Sequence, residues 1–218
     1  CTNPDESDLS KDWRPISLLN VDYKIISRSL ASRLQKVLCK LVSTDQTCAV
    51  PNRSIHDNAH LLRNIIDYVN DKNISCALLT LDQMKAYDRV SHDFLFQLLE
   101  CYNFGPEFQK WIRLLYEDIY STVLVNGYFT DEFPVLRSVR QGCGISPMLY
   151  ILYIESFAIK IRNEKRIKGL KLPGCKDEAK ISQYADDTTI IVTDLFSSDH
   201  VFRICKSFSI SFLNLDKC

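Results

Sequence analysis

Asp186 and Asp187 stand side by side in SQYADDTTII (182–191), a run otherwise built of strand formers. Tyr, Thr and Ile favour strands, and Asp disfavours them. A lone Asp-Asp has a plain explanation, because Asp closes tight turns on its own backbone. The flanks argue for more. Ile181, Tyr184 and Ala185 precede the pair and Ile190, Ile191 and Val192 follow it, so the two strands are expected in a core. Clustered carboxylates there repel each other and resist desolvation. A divalent cation compensates both costs, and Mg2+ takes a few carboxylates while keeping positions open for water and phosphate oxygens. Asp82 ends a second apolar run, SCALLTLD (75–82), expected as a buried strand. If that strand lies beside the hairpin, three carboxylates meet at one sheet edge. Such a group holds two metals ~3.5–4 Å apart, the spacing used for in-line phosphoryl or nucleotidyl transfer. The residues alone reach metal-dependent phosphoryl chemistry and stop there.

The elements that must position these acids are legible as periodicities. Leu19, Tyr23, Ile26, Leu30, Leu34, Leu38 and Leu41 predict an amphipathic helix. Ile55, Ala59, Leu62, Ile66 and Val69 predict another, with Ser54 as N-cap and Asp57 completing a capping box. Ser91 caps a third helix carrying Phe94, Leu95, Leu98 and Leu99. Pro106 opens a fourth, with Phe108, Trp111, Ile112 and Leu115 on its inner face. Asn126-Gly127 between apolar alternations predicts a hairpin. Ser146-Pro147 starts a helix to about residue 162, and a last helix covers roughly 198–212. The order is helical first, then mixed α+β around an antiparallel sheet.

Charge distribution says more than net charge, since Lys+Arg and Asp+Glu both total 27. Residues 9–40 carry a net of +5, and so do residues 159–180. Each stretch alone reads as a solvated helix face; two flanking an acidic site read as walls of a phosphate-binding channel. The nine cysteines show no Cys-x-x-Cys spacing and read as reduced thiols, which implies an intracellular compartment. Two glycosylation sequons, at Asn52 and Asn73, match a pattern common by chance. No apolar run is long enough to span a membrane. The start at Cys1 and the stop at Cys218 read as an excerpt of a longer polypeptide. His56 and His60 are four apart, but Asp57 stands where a zinc protease motif needs Glu, and Pro147 spoils a dinucleotide fingerprint at Gly142-x-Gly144.

LDQMKAYDRV, VRQGCGISPMLYILYIE and QYADDTTI, in that order, resemble the A, B and C motifs of reverse transcriptases. WRPISLLNVDYKIISRSLASRLQ (13–35), DQTCAVPNRSIHDNAHLLRNII (45–66) and FGPEFQKWIRLLY (104–116) resemble the non-LTR (LINE-type) retrotransposon enzymes, nearest the Tx-like branch. The resemblance covers nearly the whole chain, and the combined order is far more specific than any one motif. It implies a right-hand polymerase fold: mainly helical fingers over 1–75, a palm over 76–218 with an antiparallel sheet packed on helices, fingers partly interleaved, and no thumb. It implies RNA-directed DNA synthesis with an RNA template, a DNA primer, dNTPs and two Mg2+ ions, with Mn2+ as substitute. The remaining partner is the rest of the ORF2 polyprotein, including thumb and endonuclease; no membrane is involved, and the site of action is nuclear after a cytoplasmic stage.

The resemblance also assigns roles. Asp82 and Asp186 would be the principal metal ligands and Asp187 the weaker one. Tyr87 matches the aromatic gate beneath the incoming sugar, where a ribose 2′-OH would clash. Arg140, Gln141 and Gly142 match the loop at the nascent base pair; Gln141 offers donors and acceptors, and Gly142 permits close backbone approach. Arg14 resembles the fingers arginine at the triphosphate, Arg53 a template-backbone contact, and Lys217 the late palm lysine that protonates departing pyrophosphate. Two departures stand out: Gly144-Ile145 where the family usually has Pro-Leu, and Ser211-Phe212-Leu213 where it usually has Ser-Gly before Leu-Asn. The alternative is an inactive remnant or a domesticated nucleic-acid-binding module of the same fold. An RNA-templated RNA polymerase, opposed by Tyr87, and a metal-dependent nuclease complete the set.

Overall fold

The computed structural model describes residues 17–211, with side chains described through Phe208. Helix α1 (Val21–Leu41) buries Leu30, Ala31, Leu34 and Leu38, the stripe its period requires. Helix α2 (Ile55–Lys72) begins with the expected reciprocal box: the Ser54 hydroxyl accepts from the His56 N–H at 3.2 Å, and Asp57 accepts from the Ser54 N–H at 2.8 Å. Its inner face differs from expectation. Ile65 is buried, with Leu61, Tyr68 and Val69 packed nearby, while Ile55 and Ile66 are about half exposed. Two apolar stripes lie a residue apart on this helix, and its neighbours Leu170 and Ile191 select one of them.

The main sheet has three antiparallel strands. Strand β1 (Ala77–Leu81) pairs with β7 (Asp187–Val192), placing Ala77 opposite Val192 and Leu81 opposite Thr188. Strand β6 (Ile181–Tyr184) pairs with β7 from Ile181↔Ile190 to Tyr184↔Asp187. β1 is not the buried strand expected. It lies at the sheet's edge and alternates between half-buried and exposed, because only one of its faces is covered.

Helix α5 (Ser146–Asn163) is the spine of the core. It is apolar nearly all round and buries a side on almost every turn, from Met148 through Tyr150, Tyr153 and Phe157 to Ile161. Around it pack α1, α3 (His92–Cys101), α4 (Pro106–Tyr116) and α6 (Leu195–Ser211). Ser91 caps α3 and Pro106 opens α4. Trp111 departs from expectation: Ile112, Leu115 and Tyr116 face inward on α4, and Trp111 is 40% exposed beside that stripe. Between α4 and α5 lie two small ribbons, β2 (Tyr120–Ser121) with β5 (Phe133–Pro134), and β3 (Leu124–Val125) with β4 (Tyr128–Phe129) across Asn126-Gly127. The seven described cysteines are free thiols. No helix among the described residues is long and apolar enough to cross a membrane.

Candidate active site

The Tyr184↔Asp187 pair leaves Ala185 and Asp186 as a two-residue turn. Ala185 takes φ +55, a left-handed conformation that costs a residue with a Cβ roughly 1–2 kcal/mol. Neighbouring side chains on an extended chain face opposite ways. Asp186 and Thr188 accordingly line one cavity, while Asp187 between them is exposed and lies outside that lining. From the other strand, Asp82 follows directly on Leu81, which sits opposite Thr188. The cavity, about 570 Å³, is lined by Asp82, Gln83 and Asp186 together with Arg89, Arg137 and Tyr153 among others.

Two carboxylates therefore face one space, and the third does not join them. Among the described residues, no three acidic, histidine or cysteine side chains converge as a ready cation site. All three carboxylates stand at the same end of the sheet, as expected, but Asp187, next in the chain to Asp186, lies outside the cavity lining that Asp82 and Asp186 share. The donor set still suits Mg2+, which takes one or two protein carboxylates and completes its shell with water and phosphate oxygens. Asp82 and Asp186 are the residues that would hold it.

Tyr87 stands beside these acids. Its ring stacks on Tyr150 with centroids 4.8 Å apart and planes 12° from parallel. The Tyr150 hydroxyl donates to Gln83 Oε1 at 2.8 Å. Burial pushes the Tyr87 phenol up to about 12, with Cys48 and Asp186 adding to it. Burial raises Tyr150 further, again with Asp186 contributing. Both phenols are therefore neutral near pH 7, and Tyr87 presents a flat, half-buried wall next to Asp186.

The segment carrying Arg140, Gln141 and Gly142 is tied to the Tyr87 turn. The Val139 N–H donates to the Tyr87 carbonyl and the Ser138 N–H to the Val90 carbonyl, both at 2.9 Å. Ser138, at φ +101, is held further by its own hydroxyl donating to Asp88 at 3.3 Å and by His92 Nε2 at 2.8 Å from its carbonyl. The Arg140 guanidinium lies over the Tyr23 ring, 4.7 Å from its centroid. Gln141 is half-exposed at the turn, and Gly142 takes φ +93, which glycine adopts freely. A Cβ at Gly144 would sit 3.3 Å from Arg28 Cγ, so α1 leaves little room where the family usually has proline.

Arg53, the residue matched to a template contact, is partly exposed and bonded within the fold. Its guanidinium donates to the carbonyls of Val42, Ser43 and Gln46, so it shapes the loop between α1 and α2. Much of the second basic stretch is likewise paired within the fold. Arg162 bridges Asp45 and Glu155, Arg166 pairs with Glu164, Lys168 with Asp194, and Lys180 donates to the carbonyls of Arg162 and Glu164. Arg14 and Lys217 lie outside the described residues. The residue that sequence reasoning missed is Gln46, which is fully buried and bonded to the turn before Asp186. Its one signal was a polar trio, Asp45-Gln46-Thr47, between two apolar helices.

Residues 3–215 match the family model described as "Reverse transcriptase (RNA-dependent DNA polymerase)". The chain belongs to this family. A Xenopus laevis protein, "Transposon TX1 uncharacterized 149 kDa protein", is 40% identical over 187 residues, covering 86% of this chain and 14% of that protein. The "Retrovirus-related Pol polyprotein from type-2 retrotransposable element R2DM" of Drosophila melanogaster is 28% identical over 147 residues, covering 66% of this chain and 14% of its own length. The chain thus spans a small part of the curated relatives it matches. Among solved structures, telomerase from Candida albicans superposes with a TM-score of 0.60 at 14% identity, covering 87% of this chain and 32% of that one. That likeness is one of fold, and the fold is the α+β fingers and palm of a reverse transcriptase.

Proposed function

We infer that this reverse transcriptase chain is the fingers and palm part of an RNA-directed DNA polymerase, which adds dNTPs to a primer 3′-OH on an RNA template and releases pyrophosphate. One observation carries the reading: Asp82 and Asp186, far apart in sequence, line one cavity beside the stacked wall of Tyr87 and Tyr150. Asp82 and Asp186 would hold two Mg2+ ions, or Mn2+, with Asp187 as an intermittent ligand; when bound, such ions make the primer hydroxyl a better nucleophile and neutralise the leaving phosphates. The protein's own part is placement. Tyr87 floors the sugar position and excludes a 2′-OH. Gln141 and Gly142 meet the nascent base pair along its edge and backbone. Arg89 and Arg137 give the cavity wall positive charge for phosphate. Arg14 and Lys217 keep the triphosphate and pyrophosphate roles of the family.

The biological setting proposed is retrotransposition as part of a longer polyprotein that supplies thumb and endonuclease, acting in the nucleus; relatives named for transposable elements, of which this chain spans 14%, support the longer polyprotein. The test is Mg2+-dependent primer extension by the longest natural polypeptide that carries the chain, with Asp186→Asn as control and rNTPs against dNTPs. Lengthening only with dNTPs and intact Asp186 supports the reading. Product shortening without nucleotides would replace it with a nuclease, and no catalysis with retained duplex binding would replace it with a binding module.

A further inference from the structure

The loop between α1 and α2 reaches the palm sheet and extends it. The Gln183 N–H donates to the Asp45 carbonyl at 2.8 Å, and the Thr47 N–H donates to the Gln183 carbonyl at 3.1 Å. Gln46 thereby forms a parallel bridge with Gln183 on the outer edge of β6, where an unpaired edge would otherwise stand. Asn58 of α2 joins this seam, donating to the Gln183 carbonyl at 2.8 Å and accepting from the Thr47 hydroxyl at 2.6 Å.

The Gln46 side chain, fully buried, points from this seam at the turn before Asp186. Its Oε1 accepts from the Ala185 N–H and from the Cys48 N–H, both at 3.0 Å. Its Nε2 donates to the Ala185 carbonyl at 3.3 Å. The Ala185 N–H belongs to the peptide plane before Ala185, and its carbonyl to the plane leading into Asp186. Each plane is rigid. One carboxamide therefore pins both planes around a residue in a conformation that L side chains avoid. With those planes held, the direction in which Asp186 leaves the backbone is held too.

The clamp is itself anchored. Arg53 gathers the carbonyls of Val42, Ser43 and Gln46. Asp45 is paired at 2.9 Å with Arg162 of α5, and Arg162 also pairs with Glu155, which accepts from the Ser43 N–H. The loop is thus fixed at both flanks to the palm, and Gln46 is its point of contact with the acidic turn.

We propose that Gln46 is a positioning residue, a clamp from the fingers loop that holds the Ala185 turn and so aims the Asp186 carboxylate into the cavity shared with Asp82. The kinetic consequence rests on the polymerase reading; the clamp on the turn does not. The test uses the longest natural polypeptide that carries the chain, as wild type, Gln46→Met and Thr47→Val. Three quantities are measured: amide exchange of the peptide covering Ala185, Mn2+ affinity by electron paramagnetic resonance, and kcat and KM for dNTP in primer extension. For Gln46→Met, which keeps the length and loses the hydrogen bonds, exchange rises about tenfold or more and Mn2+ affinity falls about threefold or more. Its kcat falls about tenfold or more while KM stays within about twofold, the pattern of a lost transition-state alignment. Thr47→Val removes a bond from the same loop but not the clamp, and lowers Tm with kcat within about twofold.

Unchanged exchange at Ala185, unchanged Mn2+ affinity, or equal kcat losses in the two variants would each overturn the proposal. If Gln46→Met does not fold, Gln46→Asn serves, keeping the carboxamide but drawing it back by one methylene from the Ala185 peptide planes; wild-type exchange and kcat in that variant would also overturn it. A wild-type protein that binds Mn2+ through Asp186 yet extends no primer would sink the polymerase reading, and the exchange and Mn2+ measurements would still decide on Gln46.

Discussion

The β3–β4 hairpin turns through Asn126 and Gly127, at φ +50 and +85, and the β6–β7 hairpin turns through Ala185 and Asp186, with Ala185 at +55. Asn-Gly is the pair that adopts such a turn with least strain, and its ribbon is exposed on every strand residue. Ala-Asp has no such ease. Its turn is held instead by Gln46, a residue far away in sequence. Where local chemistry suffices, the structure adds nothing; where the local residues are wrong for the backbone they occupy, tertiary contacts carry the strain. Strain kept in this way marks a place where a side chain is wanted for another purpose.

The largest break in this comparison is Asp186→Asn. Primer extension should fall on the order of a thousandfold, about 4 kcal/mol of barrier, while Tm holds or rises as like-charge repulsion with Asp187 is relieved. A matching Tm collapse would mean that Asp186 serves the fold. Next comes the coupling between clamp and strain. Ala185→Gly removes the left-handed penalty and should stabilise by up to about 1 kcal/mol after the added freedom of the unfolded chain is counted. In that background Gln46→Met should cost at least ~0.5 kcal/mol more than in wild type, where release of the clamp lets the strained turn relax, read from denaturant midpoints as a double-mutant cycle. Additive costs would show that the glutamine does not hold the turn.

Gly127→Ala tests the self-sufficient turn. It should lose roughly 1 kcal/mol of stability for the positive φ and leave kcat within about twofold, since nothing around Asp186 depends on it. The smallest effect concerns Ser138, another residue at positive φ, whose carbonyl faces His92. Burial holds the His92 pKa below its ordinary 6.5, with the Ser138 carbonyl opposing that shift in part. The unfolded state then binds more protons than the folded state in the window beneath 6.5, so His92 contributes stability that is present above 6.5 and lost as pH falls toward its lowered value. His92→Gln should therefore lose fewer degrees of Tm between pH 7 and pH 5 than wild type. An equal or steeper loss would place the acid sensitivity elsewhere.

Much of the local structure was legible because it is written in short-range rules. Ser54 with Asp57, Ser91, Pro106 and Asn126-Gly127 each act through bonds or sterics within four residues, and each stands where expected. The faces were less legible. On α2 two apolar stripes differ by one residue, and packing on Leu170 and Ile191 chose Ile65 over Ile66. On α4 the choice fell on Ile112 and Tyr116 and left Trp111 outside. β1 looked buried by composition, but its place in the strand order, which no local pattern encodes, made it an edge. Arg53 and the cations of the second basic stretch show the same gap, since a sequence reports charge and not its partner.

By itself the sequence determined which segments become helix or strand, where they are capped, and which carboxylates and aromatic side chains the chain has available. Those depend on interactions spanning a few residues, and the order of motifs was enough to expect the family. Only the tertiary structure decided that Asp82 and Asp186 share a cavity whose lining leaves out Asp187, that Tyr87 rests on Tyr150, and that Gln46 grips the turn at Ala185. These are contacts between segments scores of residues apart. Their geometry is set by how the whole core packs around α5, and no local propensity records it.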